Sequence, residues 1–165
     1  SRHPPVEPYF HVSRVESSRF NGADVRNNRR RDENVWFLSL GMDTKLLALV
    51  AVGGAVGAVL RYAIQSMVEP DSEPYATLGV NLAGSLMLGA LFGAIAAGTV
   101  LSEGSVVLIG TGFLGAFTTM STFAMDSVKF SEESSGAAVS YVLLSVAGSL
   151  ILAWIGYRAA LSIAS

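Results

Sequence analysis

Four long apolar runs constrain this chain more than any other feature of its 165 residues. A helix needs about 20 predominantly apolar residues to cross the hydrocarbon core of a bilayer. The runs cover residues 46–67, 74–102, 104–125 and 134–157. Arg61 is the one charged residue that they contain. The pattern predicts an all-α integral membrane protein with four transmembrane helices, at about 45–67, 75–100, 104–129 and 136–160.

Composition excludes several classes of function. Charged residues make up 15% of the chain, against about 25% in soluble domains. Cysteine is absent, so neither a disulfide framework nor a thiolate site can form. Both histidines, His3 and His11, precede the apolar runs, which excludes histidine catalysis or metal ligation within them. From Met42 onward the acidic side chains outnumber the basic ones, so no nucleic-acid surface is expected.

The first 41 residues differ from the rest. They are rich in Pro, Arg, Ser and Asn and lack a sustained apolar period, which predicts a disordered N-terminal extension over residues 1–41. Met42 is followed almost directly by apolar sequence. We therefore interpret Met42 as the natural start, with a four-helix membrane domain over residues 42–165. The alternative is a genuine cytosolic tail.

The basic residues of the membrane domain are evenly divided between its two sides. With four spans, Lys45 and Arg158 share one side, and Arg61 and Lys129 share the other. The positive-inside rule then favours neither orientation. Such a chain is expected to insert both ways up, which predicts an antiparallel dimer. The arginines of residues 1–41, if present, would instead bias the N-terminus toward the cytoplasm.

Small residues recur at intervals of four within the runs. In lipid, this spacing lets helix backbones approach closely. The three instances are Gly53-x-x-x-Gly57, Ser85-x-x-x-Gly89-x-x-x-Gly93 and Ser145-x-x-x-Ser149. We expect these positions to form the contacts between helices.

Polar side chains form two stripes with the same spacing. Intramembrane polar groups face protein or water because exposure to hydrocarbon is costly. The stripes are Thr77, Asn81 and Ser85 in the second run, and Tyr141, Ser145 and Ser149 in the fourth. Two readings are open at this point: the stripes line a narrow polar track, or they hydrogen-bond the helices together.

The third run is predicted to break near mid-membrane. It contains three glycines at 110, 112 and 115, followed by hydroxyl residues at 118, 119, 121 and 122. Irregular backbone at membrane depth is tolerated where it is buried in protein or lines a cavity. Its freed carbonyl groups can hold a cation and its freed N–H groups can face an anion. The same glycines match a dinucleotide fingerprint, but the flanking membrane spans exclude the βαβ unit that it requires.

Three motifs carry a resemblance to a known family. They are Gly53-Gly54-x-x-Gly57-x-x-x-Arg61-Tyr62, Gly79-x-Asn81-x-x-Gly84-Ser85 and Gly112-Phe113-Leu114-Gly115-x-Phe117-Thr118-Thr119-x-Ser121-Thr122-Phe123. In this combination, over essentially all of residues 42–165, the chain resembles the CrcB/Fluc fluoride channel family. The resemblance implies a channel, not an enzyme, that exports fluoride passively across the cell membrane and lowers its intracellular concentration.

The resemblance also implies an assembly and a set of site residues. The expected assembly is an antiparallel dual-topology homodimer in the lipid bilayer, with a structural Na⁺ at its centre held by backbone carbonyls of Gly115 and Thr118. Arg61 is expected in the vestibule. The expected fluoride path comprises Asn81, Met120, Thr122, Phe123, Tyr141, Ser145 and Ser149.

Two positions depart from the family pattern. Met120 stands where the first pore phenylalanine is expected, which exchanges a ring edge for a soft thioether. Ala116 replaces the second glycine of a pair. The first departure leaves two readings: a tolerated variant in a homodimer, or one half of a pair with a paralogous subunit.

Three other functions are alternatives to the channel. A drug/proton antiporter needs a membrane-embedded carboxylate; the first, second and fourth spans contain none, and Asp126 closes the third span near its end. A non-transporting assembly subunit would use its polar stripes only for packing. A membrane enzyme is disfavoured because the spans offer no nucleophile–base pair or metal ligand set.

Overall fold

A computed structural model describes residues 43–164 of the chain, without the side chain of the last of these. The predictions for residues 1–41, and for a start at Met42, lie outside the described residues. Every regular element in the described part is helical, and no β-strand occurs there. The nucleotide fingerprint at 110–115 therefore has no preceding strand.

The helices follow one another with short connections. In chain order they are α1 (Thr44–Ser66), a 3₁₀ turn (Pro70–Ser72), α2 (Glu73–Ala96), α3 (Glu103–Val106), a π-helical segment (Val107–Leu114), α4 (Gly115–Phe117), α5 (Met120–Glu133) and α6 (Ser135–Ala164).

These elements form four segments that are long and apolar enough to cross a membrane. They cover Thr44–Ser66, Pro70–Ala96, Glu103–Glu133 and Ser135–Ile163. The prediction of an all-helical protein with four spans is confirmed, and the chain is a multi-pass membrane protein. The third span reaches Glu133, farther than the sequence indicated, because α5 continues through the charged residues after Met125.

The first helix begins at a side-chain cap and packs on the third span. The Asp43 carboxylate accepts a hydrogen bond from the Lys45 backbone N–H at 2.8 Å, which satisfies one of the free donors at the helix start. One face of α1 lies against the π-helical segment. At Gly57 the backbones come so close that a Cβ atom would overlap the Phe113 carbonyl group.

The second and sixth helices form the most extensive contact of the fold. Glycines make it possible from both sides. A Cβ atom at Gly89 would overlap the backbone of Ala153, and one at Gly93 would overlap the backbone of Tyr157. These contacts confirm the close approach of helices predicted at Gly89 and Gly93.

The third span changes its winding twice before it resumes as α5. Val107–Leu114 forms a π-helix, a wide winding that is often found at functional sites. After α4 the backbone turns extended at Thr118 (φ −78°, ψ 156°) and at Thr119 (φ −146°, ψ 114°). The extended pair separates α4 from α5; its depth in a bilayer stays a prediction.

We expect Gly57→Ala to destabilise the packing of α1 on the third span. The added methyl group meets backbone, which cannot move aside as a side chain can, so the loss should be about 1–3 kcal/mol. Thermal unfolding of the purified protein in detergent measures it. Gly79→Ala is the matched control, because no atom lies within 4 Å of a Cβ there; equal stability of the two variants would contradict the close contact.

Candidate functional site

An open groove of about 380 Å³ runs along one side of the described fold, between α2, the third span and α6. Its polar lining comes from the extended pair and from both predicted stripes. The lining residues with polar side chains are Asn81, Ser85, Thr118, Thr119, Ser145 and Ser149. Within the described residues, this lining contains no charged side chain.

Asn81 clamps the extended backbone from the neighbouring helix. Its Nδ2 donates to the Thr119 carbonyl oxygen at 3.0 Å, and its Oδ1 accepts from the Thr119 N–H at 2.8 Å. Both bonds together fix the orientation of the amide. An amide nitrogen carries two hydrogens, so the Asn81 side chain keeps one donor beyond the clamp.

Thr119 also caps the helix that follows it. Its Oγ1 accepts from the Thr122 N–H at 3.2 Å and lies 2.9 Å from Thr122 Oγ1. Ser121 Oγ lies 3.3 Å from Thr119 Oγ1. The hydroxyl of Thr122, predicted in the fluoride path, is thus bound to the cap, and Thr122 lies outside the groove lining.

The interruption leaves carbonyl groups without helical partners. The N–H and Oγ1 of Thr118 both donate to the Leu114 carbonyl, at 3.1 and 3.0 Å. The Thr119 N–H, which would complete a helical bond to Gly115, goes to Asn81 instead. Within residues 43–164, no hydrogen bond reaches the carbonyl oxygens of Gly115 and Thr118. Both residues line the groove.

Ser145 and Ser149 present hydroxyls to the groove from α6. Ser145 is 5% exposed, and its Oγ forms no hydrogen bond with any described residue. A buried hydroxyl without a partner costs free energy. Ser145 thus places a buried hydroxyl at the groove.

Two predicted path residues, Met120 and Phe123, lie at very different depths. Both line the groove. Met120 is 73% exposed at the surface of the described fold, whereas the Phe123 ring is buried and stacks on Tyr141 with centroids 5.7 Å apart. A molecule in the groove would meet an open thioether on one side and a fixed ring on the other.

Tyr141 faces a buried acid that the sequence reading placed at the end of the span. Its hydroxyl lies 3.2 Å from the Pro74 carbonyl oxygen and 3.3 Å from Asp126 Oδ2. Asp126 is 2% exposed, and its Oδ1 lies 3.9 Å from Lys129 Nζ. Tyr141 is outside the groove lining. Its spacing in the stripe gave no sign of the carboxylate that binds its hydroxyl.

Arg61 and Thr77 also lie outside the groove lining. Arg61 Nε donates to the Ala116 carbonyl oxygen at 3.2 Å, just before the extended pair. Thr77 is fully buried and accepts from Gln65 Nε2 at 3.2 Å. The polar stripes thus serve both purposes that the sequence left open: Thr77 joins α1 to α2, whereas Ser85 lines the groove.

The groove thus brings together seven of the residues predicted for the site. They are Asn81, Gly115, Thr118, Met120, Phe123, Ser145 and Ser149. Three others, Arg61, Thr122 and Tyr141, contact its surroundings instead. The described residues contain no cluster of three His, Cys, Asp or Glu side chains that could hold a metal ion, so a cation here would have to be held by carbonyl or hydroxyl oxygens.

Fold and groove define a multi-pass helical membrane protein with a mainly apolar groove that holds a few neutral polar side chains beside an interrupted helix. The chain belongs to the family described as CrcB-like protein, Camphor Resistance (CrcB), which it matches over residues 48–157. The family resemblance read from the sequence is thereby confirmed.

Relatives of known name are similar over most of their length. A protein of Rhodococcus jostii named fluoride-specific ion channel FluC 2 is 47% identical over 112 residues, which cover 67% of this chain and 94% of that protein. One of the same name from Halobacterium salinarum is 43% identical over 129 residues, covering 78% and 93%. The fluoride-specific ion channel FluC of Nautilia profundicola is 42% identical over 114 residues, covering 66% and 88%.

We expect Tyr141→Phe to destabilise the protein by about 1–3 kcal/mol, because Asp126 Oδ2 loses its hydroxyl donor in a buried setting. Combined with Asp126→Asn, the second change should add much less, since the two side chains share one interaction. Denaturant unfolding of the single and double variants measures this. Tyr62→Phe, at an exposed tyrosine of α1, is the control; strict additivity would show that the contact contributes nothing.

Proposed function

We propose that this protein is a fluoride-selective channel of the cell membrane that exports fluoride passively and lowers its intracellular concentration. It is not an enzyme. The observation that carries the proposal is a groove lined by hydrogen-bond donors and by no charged side chain among the described residues. The names of the relatives point to the same ion.

Neutral donors suit an ion that must be released again. Fluoride is small and strongly hydrated, so it leaves water only where hydrogen-bond donors replace the water molecules. The free N–H of Asn81 and the hydroxyls of Ser145 and Ser149 are such donors. The positive edge of the Phe123 ring adds a weak attraction. A lysine or arginine in the lining would bind the anion too tightly for rapid passage.

A second copy of the chain would complete the path. The groove of one protomer is open, and its polar side chains and unpaired carbonyl groups cannot face lipid at low cost. The even division of Lys45 and Arg158 against Arg61 and Lys129 supports insertion in both orientations. We infer an antiparallel dimer, formed by two copies or with a paralogous subunit, in which each protomer closes the groove of the other.

The extended pair is proposed to lie near mid-membrane and to help hold a structural Na⁺. The carbonyl oxygens of Gly115 and Thr118 lack hydrogen-bond partners among the described residues. Carbonyl oxygens can replace the hydration shell of a small cation. Contributed by both protomers, these oxygens fit Na⁺ at the dimer centre, where its charge would tie the two interrupted spans together.

The remaining predicted residues are assigned to the approaches of the path. Thr122 supports the extended pair through Thr119, and Tyr141 supports Phe123 through ring stacking. Both hydroxyls belong to the polar track implied by the family resemblance. Arg61 is assigned to the vestibule on the same ground.

The observation that favours the antiporter alternative is a carboxylate inside the third span, that of Asp126. Proton exchange needs a carboxylate that substrate and water can reach. Asp126 is instead 2% exposed and engaged by Tyr141 and Lys129. Transport that depends on a pH gradient would favour the antiporter over the channel.

The test is fluoride efflux from liposomes that contain the purified protein, with chloride as the control ion. We expect fast release of fluoride, little release of chloride, and no need for a pH gradient. A folded dimer that releases no fluoride would contradict a channel formed by two copies of this chain. It would favour a missing paralogous subunit or a non-transporting role.

Asn81→Leu should abolish fluoride release, because it removes the free donor and the clamp on Thr119 together. The dimer should persist, because the change introduces no charge. Size-exclusion chromatography checks the assembly alongside the flux assay. Unchanged flux would remove Asn81 from the path.

Met120→Phe should alter conduction without affecting folding. Met120 is largely exposed at the groove, so a ring fits without repacking the interior, and its edge adds a weak attraction for an anion. We expect the fluoride-to-chloride ratio of release to rise. Met125→Phe, at an exposed position outside the groove lining, is the control; the same change in both variants would argue against a role for Met120.

A further inference from the structure

One face of α1 follows the third span toward the extended pair. It consists of Gly53, Gly57 and Arg61, spaced four residues apart. A Cβ atom at Gly53 would overlap the Leu108 carbonyl oxygen, and one at Gly57 that of Phe113. The two glycines let the backbones of α1 and the third span approach closely. Arg61 comes next along the same face.

The Arg61 side chain ends at a carbonyl that the interruption has freed. Its Nε donates to the Ala116 oxygen at 3.2 Å, across 55 positions of sequence. In a continuous helix that oxygen would accept from residue 120, but Met120 begins a new helix. Within the described residues, Arg61 is the hydrogen-bond donor found for this oxygen.

Two anchors thus bracket the extended backbone. Arg61 holds Ala116 from α1, and Asn81 holds Thr119 from α2. Between them, the buried ring of Phe117 stacks on Phe113 with centroids 5.7 Å apart. The backbone that faces the groove is therefore fixed at both ends by side chains from other spans.

We propose that Arg61 is a positioning residue for the ion path, which acts through its Nε–H on the Ala116 carbonyl and not through its charge on the ion. This rests on the proposed channel function. A charge that only attracted the ion would not require a hydrogen bond to the Ala116 carbonyl. That hydrogen bond requires an N–H donor at the Nε position. Fixing Ala116 sets the direction of the Gly115 and Thr118 backbone, which lines the groove.

Two substitutions separate the donor from the charge. In glutamine, Nε2 stands the same number of bonds from Cα as Nε does in arginine, so Arg61→Gln keeps an N–H at that position without the charge. In lysine that position is a methylene group, so Arg61→Lys keeps the charge without the donor there. Arg61→Met removes both.

The first readout is fluoride release from liposomes at low and high ionic strength. We expect Arg61→Gln to retain most of the wild-type rate. Arg61→Lys and Arg61→Met should be slower by about tenfold or more, as for the loss of one strong hydrogen bond. The differences should persist at high salt, because a directed bond is not screened as an exposed charge is. The matched controls are Arg158→Gln and Arg158→Lys on the exposed end of α6.

The second readout is amide hydrogen exchange of the peptide that contains Thr118 and Thr119, measured on the purified protein in detergent. Exchange should rise in Arg61→Lys and Arg61→Met and stay near wild type in Arg61→Gln. This readout needs no ion flux. If the wild-type protein releases no fluoride, the channel function fails while the exchange pattern still tests the anchor.

The reverse order of activity, with Arg61→Lys fast and Arg61→Gln slow, would overturn the proposal in favour of an attracting charge. A deficit of Arg61→Gln that disappears at high ionic strength would do the same. Wild-type rates and exchange in all three variants would also overturn it, because the contact would then hold nothing.

Discussion

The hydrogen bonds between Asn81 and the backbone of Thr119 are the contact on which the site depends. A bilayer offers no water to an interrupted helix, so each freed polar group must find a partner in the protein or line a cavity. The Asn81 amide satisfies a donor and an acceptor of one residue at once. The chain can therefore keep two extended residues between α4 and α5 without leaving the Thr119 N–H unpaired.

That arrangement requires helices that approach unusually closely. Asn81 reaches Thr119 only because α2 lies beside the third span, and α2 is held in place by its long contact with α6. Glycines at 57 and 89 allow backbones to meet where any side chain would overlap a carbonyl group. Small residues thus do more than join helices here, since they set the distance at which polar side chains can bind interrupted backbone.

The sequence predicted the spans well and the partners of polar groups poorly. Charge-free runs mark membrane helices because a buried charge is costly, and that rule needs no knowledge of neighbours. The sequence places Asp126 near the end of the third span and shows no partner for it. The structure pairs it with Tyr141, which is 15 residues away and on another helix. Likewise, Arg61 belongs to a sequence motif, but its acceptor, the Ala116 carbonyl oxygen, is available only because the third span is interrupted.

Charged side chains are kept out of the groove lining in the same way, because each is bound to another group of the protein. The ionisable side chains near it, Arg61, Asp126 and Lys129, are each engaged by a backbone or side-chain group outside the lining. Their fields are weakened by these partners, whereas the groove keeps neutral donors such as the Ser145 hydroxyl without a partner among the described residues. The proposed path would stabilise an anion by several weak bonds, each easily exchanged for water, so attraction and release would not be in conflict.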